Sequence, residues 1–197
     1  MRARVLAVVV GGVAIAGAAA YASLRMNGFS ARAEPSAAER AIARVARRWA
    51  IPRAARQLPN PVPYSVAIWA EAREHFADHC ATCHANDGSG RSQFGQSLYP
   101  RAPDMRQAET QALSDGELYW VIENGIRMSG MPAFGSGTDD DVDTWKLVHF
   151  VRKLNELTSE QLKEMERLNP KSPGEIEEER ADQLFLAGQD EDKENQK

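Results

Sequence analysis

The segment Cys80–His84, with the sequence CATCH, contains the only two cysteines of the 197-residue chain. Two residues separate Cys80 from Cys83, and His84 follows directly. The residues before it, SVAIWAEAREHFADH (65–79), are rich in Ala, Glu and Arg and predict a helix rather than a strand. Two thiols and an imidazole are therefore predicted to lie within about one turn at the end of a helix.

Several kinds of site use this spacing. A thioredoxin-like dithiol would follow a strand in a βαβ unit, and no strand is predicted before Cys80. A structural zinc site needs four ligands, but the chain has no second cysteine pair and His149 stands alone. Covalent haem attachment uses Cys-x-x-Cys-His, in which both thiols form thioethers and the histidine coordinates the iron. The pattern favours haem, because a lone disulfide would leave His84 unexplained.

The stretch HFADHCATCHANDGSGRS (75–92) resembles the start of a class I c-type cytochrome. Phe76 occupies the position of the buried aromatic residue in that family, and HANDGSG matches the loop after the haem histidine. The resemblance extends from about Ser65 to Leu154. It implies an all-α class I cytochrome c fold, with three to five helices around one covalently bound haem c. It also implies an electron-transfer protein with redox protein partners, and not an enzyme in its own right.

A six-coordinate haem iron needs a second axial ligand. The candidates in the sequence are Met105, Met128, Met131 and His149. The resemblance favours Met131, in SGMPAFG, because the usual ligand of the family is a methionine followed by proline on an irregular loop. A thioether ligand would favour Fe(II) relative to a second histidine, while Met128 could instead cover the haem edge. RAPDM (101–105) resembles the family's proximal loop, which implies that the carbonyl of Pro103 accepts a hydrogen bond from His84.

An uncharged run from Val5 to Ala22 follows Arg2 and Arg4. Eighteen residues at 1.5 Å each span about 27 Å, close to the ~30 Å hydrocarbon core of a bilayer. A cleaved signal peptide has the same basic start, and Ala-Arg-Ala at 31–33 fits a cleavage site by letter, although it lies nine residues beyond the run. We interpret the run as an uncleaved single-pass anchor in the inner membrane. Haem attachment would then place the cytochrome domain on the periplasmic side, because the flanking arginines do not decide the orientation.

The sequence divides into four predicted segments: an anchor (1–24), a basic helix with a Pro-rich linker (25–64), a cytochrome domain (65–157), and a short helix with an acidic, disordered tail (158–197). Eight arginines and two glutamates give Arg25–Arg56 a net charge of +6. Within it, 36–50 predicts an amphipathic helix that is either a solvated spacer or a helix resting on anionic lipid. Residues 51–65 predict an extended connector. The net charge of −4 argues against nucleic acid as a partner.

These observations predict a single-electron carrier with His84 and Met131 as axial ligands, in a periplasmic electron-transfer chain. Two alternatives remain open. The haem could be a relay in one subunit of a membrane oxidoreductase complex. It could also sense gas or redox state, if a small molecule displaces Met131. The sequence does not identify the electron donor or acceptor.

Overall fold

The computed structural model describes residues 2–28, 30, 31, 33–138 and 141–186, and the regular structure in these residues is helical. The prediction of an all-α chain is therefore confirmed. Two helices precede the predicted cytochrome domain: α1 (Arg2–Asn27) and α2 (Ala37–Ala50). Nine residues, 28–36, connect them.

The rest of the described chain is a series of shorter helices. They are α3 (Val66–His75), α4 (Ala81–His84), α5 (Gln93–Ser97), α6 (Ala108–Gln111), α7 (Asp115–Asn124), α8 (Val142–Arg152), α9 (Ser159–Leu168) and α10 (Pro173–Leu186). A π-helical turn, Phe76–Cys80, joins α3 to α4, and 3-10 turns lie at Ala55–Gln57 and Leu154–Glu156. A continuous helical segment thus leads into the Cys-x-x-Cys-His motif.

The helix starts follow the local capping signals in the sequence. A Ser or Thr followed three residues later by Glu or Gln predicts a capping box at three helix starts. All three boxes are present, with Ser36 and Glu39 on α2, Ser114 and Glu117 on α7, and Thr158 and Gln161 on α9. Each hydroxyl accepts a hydrogen bond from an otherwise unpaired backbone N–H, and the side chain three residues later returns one. Asp141 caps α8. The sequence also favours Asp139 and Asp140 at this helix start, because acidic side chains suit its positive end, but both lie outside the described residues.

The core lies where α3 crosses α8. The ring of Phe150 on α8 lies 4.7 Å from that of Phe76 and 5.8 Å from that of Trp69, both on the α3 side. The predicted core residues of the last domain helix are all at most 3% exposed: Leu147, Phe150, Val151 and Leu154. Packing of large apolar side chains at this density supplies most of the stabilisation of a small helical domain.

Two further helices complete the core. α7 packs on α8 through Tyr119 and Trp145, whose rings stack at 4.0 Å, whereas the neighbouring Trp120 is only half-buried. On the other side α9 inserts Met165, which is fully buried. The guanidinium of the buried Arg73 on α3 pairs with a carboxylate of α9 at 2.8 Å. Helix α9 therefore packs as part of the same core.

The Pro-rich segment after α2 is docked on the domain, a set of contacts that the sequence did not predict. Ile51 is 2% exposed and Ala55 6% exposed. The Asn60 amide donates to the backbone oxygen of Trp145 at 3.0 Å, and Nε2 of His149 lies 2.7 Å from the oxygen of Val62. The prolines prevent a long helix here, but the apolar side chains between them find partners on the domain that no local signal reveals.

Helix α1 stands apart from this core, and none of its residues is buried. Among the described helices it is the one that is long and apolar enough to cross a membrane. A signal sequence has the same properties. The helix is therefore a candidate membrane anchor or signal.

Candidate functional site

The helix that carries the two cysteines changes its pitch just before them. The backbone N–H of Ala81 bonds to the oxygen of Phe76, five residues earlier, so the turn Phe76–Cys80 is π-helical. Phe76 is 2% exposed and fixes the start of this turn in the core. The extra residue turns His79 outward, with 51% of its side chain exposed, although α-helical spacing predicts it on the buried stripe. Turns of this kind are frequent at functional sites, where they re-aim the following side chains.

The thiols of Cys80 and Cys83 are free of each other and poorly suited to redox exchange. They are not joined in a disulfide. Burial, with a further contribution from Cys83, raises the pKa of the Cys80 thiol to about 12. A dithiol oxidoreductase needs a thiol pKa below the ordinary value, because the thiolate is the nucleophile. The local environment therefore argues against the thioredoxin-like alternative.

The imidazole of His84 is suited to be a ligand. Burial lowers its pKa, so the neutral form, which can coordinate a metal, is favoured. Its Nδ1 atom is buried and has no hydrogen-bond partner among the described residues. Two free thiols beside a neutral imidazole with an orphaned nitrogen match the donor set for a covalently attached haem. The residues present therefore fit this group.

The carbonyl groups of the motif are held by the loop that follows it. The oxygen of Cys83 accepts a hydrogen bond from the Ser92 hydroxyl at 2.9 Å, and that of His84 accepts one from the N–H of Gly90 at 2.8 Å. Gly95 packs so closely that a Cβ there would lie 2.1 Å from the oxygen of Cys83. The loop thus fixes the backbone of Cys83 and His84.

Pro103 lies on the next stretch of this loop. Backbone hydrogen bonds on both sides of Pro103 tie it to the earlier part of the loop. The N–H of Ala102 donates to the oxygen of Gly95 at 3.0 Å, and the N–H of Met105 donates to the oxygen of Gly88 at 2.8 Å. The structure therefore brings Pro103 to the loop that follows His84. It records no hydrogen bond from Nδ1 of His84 to a described residue, so the role of the Pro103 carbonyl stays a prediction.

An ion-pair cluster closes the same loop. Arg106 contacts Asp87 at 2.9 Å and Asp104 at 2.8 Å, which joins the two ends of the loop. The hydrogen bonds from Arg106 hold the pKa of Asp104 down at about 2. The Asp104 carboxylate is thus ionised at neutral pH, and its contact with Arg106 keeps the loop around Pro103 in place.

The four candidates for the second axial ligand have different surroundings. Met128 is 93% exposed and has a φ of 63°. Met105 is partly buried against the core, and His149 is held by Val62 and Asn60 of the docked segment. Met131 is half-buried on the irregular loop between α7 and α8, and its backbone is held by hydrogen bonds with Ile126 and Ser129.

The loop that carries Met131 is attached to the end of α7 by contacts that the sequence analysis missed. The N–H of Phe134 donates to the oxygen of Ile122 at 3.1 Å, and the N–H of Gly137 donates to a carboxylate oxygen of Glu123 at 2.8 Å. Glu123 is only 6% exposed. An acidic side chain near the negative, C-terminal end of a helix is unfavourable by itself. The position of Glu123 in the last turn of α7 was therefore the sequence signal that this side chain has a specific partner.

Residues 67–151 match the family described as cytochrome c oxidase, cbb3-type, subunit III. The matched segment contains the Cys-x-x-Cys-His motif and its following loop, and it extends through the loop of Met131 into α8. It ends before α9, and it begins after the docked Pro-rich segment.

Proposed function

We propose that this chain, whose residues 67–151 form a c-type cytochrome domain, is a single-electron carrier with His84 and Met131 as axial ligands. Cytochromes of this type bind haem c covalently and take part in electron transfer. The observation that carries the proposal is the half-buried imidazole of His84, whose buried Nδ1 has no partner among the described residues, beside two free thiols inside the matched segment. When bound, the haem supplies an iron that alternates between Fe(II) and Fe(III) and so accepts or releases one electron.

The residues of this chain would contribute position and environment. Cys80 and Cys83 would hold the group covalently, and the backbone contacts of their loop would keep His84 in one orientation. The half-buried Met131 would offer a neutral thioether on a loop fixed to α7. Pro103, if its carbonyl accepts a hydrogen bond from the Nδ1–H group of His84, would strengthen the imidazole as a ligand to the iron. The surrounding core would exclude water from both ligands.

The assignment of the second axial ligand is tested by replacing each of the two methionines of the loop by alanine in turn. Met131→Ala should remove the charge-transfer band between methionine and Fe(III) and allow carbon monoxide to bind, because one face of the iron becomes open. Met128→Ala is the matched control, since it removes the same side chain three residues away at an exposed position. The opposite pattern would assign Met128 as the ligand. A native protein that binds carbon monoxide and lacks the band would favour the gas-sensor alternative.

For the location, we propose a single-pass inner-membrane protein with α1 as anchor and the cytochrome domain in the periplasm. Attachment of haem c on the exported side and the apolar length of α1 support this. A reporter that is active only after export, fused at Pro59, should be active. Activity only for a reporter that works in the cytoplasm would exclude this topology.

A relay subunit of a membrane oxidoreductase is the second candidate. The matched family is described as an oxidase subunit, and only nine residues, 28–36, separate α1 from α2, which is itself bonded to the domain. Purification in mild detergent distinguishes the two. A relay subunit should co-purify with its complex, whereas a carrier should be recovered alone and reduced or oxidised by separate partners.

A further inference from the structure

Helix α2 exposes three apolar side chains along one of its faces. Ile42 is 68% exposed, Val45 48% and Trp49 83%. Residues spaced by three and four lie on one face of a helix, so these side chains form a continuous strip, called here the apolar stripe. A stripe that contains a tryptophan exposed to this extent is costly to leave in water.

Basic side chains border one edge of the apolar stripe. Val45 and Trp49 line a cleft together with Arg48, Arg53 and Arg56. Arg56 lies 3.5 Å from the carboxylate of Glu117 on α7. Arg48 and Arg53 are exposed, and the structure gives them no hydrogen bond or ion pair with the residues it describes. Two guanidinium groups are therefore available beside the apolar surface.

Other sides of α2 are attached to the cytochrome domain. The Tyr99 hydroxyl donates to the carboxylate of Glu39 at 2.6 Å, and Arg47 donates to the backbone oxygen of Glu109 at 3.3 Å. Ile51, at the end of the helix, is buried. These contacts hold α2 against the domain and leave the apolar stripe outside it.

We propose that α2 lies on the anionic lipid surface of the membrane spanned by α1, with the apolar stripe below the head groups and Arg48 and Arg53 on lipid phosphates. This inference rests on the proposed anchoring by α1. The nine connecting residues reach at most about 30 Å when extended, so α2 stays near the membrane surface. Tryptophan is favoured at that depth, and the net charge of +6 in Arg25–Arg56 is attracted to anionic lipid.

A consequence of this arrangement is a fixed orientation of the cytochrome domain. Because α2 contacts the domain through Tyr99 and Glu109 and would contact lipid through the apolar stripe, the domain could not rotate freely above the membrane. The helix would act as a spacer with one side for lipid and one for protein. Electron partners embedded in the same membrane would then meet a constant face of the domain.

The test uses the full-length holoprotein in lipid nanodiscs that contain one chain each, which excludes a second copy as the occupant. The native thiols are consumed as thioethers, so Ile42→Cys supplies a single free thiol on the apolar stripe. Arg44→Cys is the matched control, because two residues rotate its side chain by about 200° around the helix. The measurement is the rate of alkylation by a water-soluble maleimide in discs of phosphatidylcholine, with or without phosphatidylglycerol.

The alkylation of Ile42→Cys should slow about tenfold when phosphatidylglycerol is present, as the thiol enters the interface, while that of Arg44→Cys stays unchanged. Adding Arg48→Gln and Arg53→Gln should remove the protection, since each arginine near an anionic leaflet strengthens binding about fivefold. Equal rates for both thiols, or equal protection in both lipids, would overturn the proposal. A chain that does not co-purify with the discs would instead show that the anchoring by α1 fails.

Discussion

Replacing Gly125 by alanine should move the loop of Met131. Gly125 ends α7 with φ 65° and ψ −170°, a region that residues with a side chain rarely occupy. The strain costs about 1–3 kcal/mol. A Cβ here would also lie 2.5 Å from the carbonyl carbon of Pro132 and 2.7 Å from the nitrogen of Ala133. Overpacking of this kind costs a further 1–3 kcal/mol or so, which gives a total of about 4 kcal/mol.

The crowded atoms belong to the backbone, so the clash cannot be relieved by rotating a side chain. The residues after Met131 must shift, and the thioether shifts with them. Gly137→Ala is the matched control, because Gly137 lies on the same loop and also has a positive φ, 81°. A Cβ added at Gly137 would have no atom within 4 Å, so this variant introduces no clash. That variant should be destabilised only by the strain of the left-handed backbone, about 1–2 kcal/mol.

The assay combines urea unfolding of the oxidised holoprotein, followed by circular dichroism, with the methionine–Fe(III) charge-transfer band in the absence of urea. Gly125→Ala should unfold at lower urea than Gly137→Ala and should show a weakened or missing band. Gly137→Ala should keep the band. Equal unfolding midpoints with an intact band in both variants would refute the view that Gly125 positions Met131.

Three more predictions follow from the same contacts. Cys80→Ala or Cys83→Ala should leave a loosely held or missing haem, measured as the haem content of the purified protein, whereas acid-acetone extraction should not strip the wild type; loss of all haem from the wild type would end the assignment. Asp104→Asn should destabilise the protein at neutral pH, because the Arg106 contact lowers the folded pKa of Asp104 to about 2. A carboxyl group whose pKa is lowered in the folded state stabilises the fold at pH values above its ordinary pKa of 3.8. The difference in unfolding free energy between variant and wild type, measured by chemical unfolding, should therefore shrink as the pH falls from 3.8 to about 2. Met165→Ala should cost about 2–5 kcal/mol in the same assay, since Met165 is fully buried, and a cost near zero would show that α9 is not part of the core.

Features set by neighbouring residues were predicted well from the sequence. A capping box depends on two side chains three residues apart, and all three predicted boxes form. The core face of α8 follows from its apolar spacing. The docking of Ile51 and Ala55 could not be predicted, because their partners lie far along the chain. The π-helical turn before Cys80 was missed for a related reason, since its register depends on the burial of Phe76 against α8.

The candidate site shows the same division. Cys80, Cys83 and His84 are recognised by spacing alone, because the three groups lie on one short helical segment. Met131 and Met128 are only three residues apart, and no periodic pattern separates them on an irregular loop. Their different exposure depends on how the loop is attached to α7 by Glu123, which is a long-range contact. The structure therefore adds most where the backbone is irregular.

The docked Pro-rich segment also bears on the choice between a mobile carrier and a relay. If residues 51–65 were extended, they would add tens of ångströms of reach at about 3 Å per residue. Since Asn60 and Val62 are bonded to α8 and α2 is bonded to the domain through Glu39 and Arg47, the connection between α1 and the domain is at most residues 28–36. A connection of nine residues reaches about 30 Å, roughly the diameter of a domain of 100 residues. A cytochrome domain held this closely meets partners in or on the same membrane at a high effective concentration. With α1 as the proposed anchor, this architecture would favour electron exchange at the membrane surface, either with a membrane-bound partner of a tethered carrier or within an oxidoreductase complex.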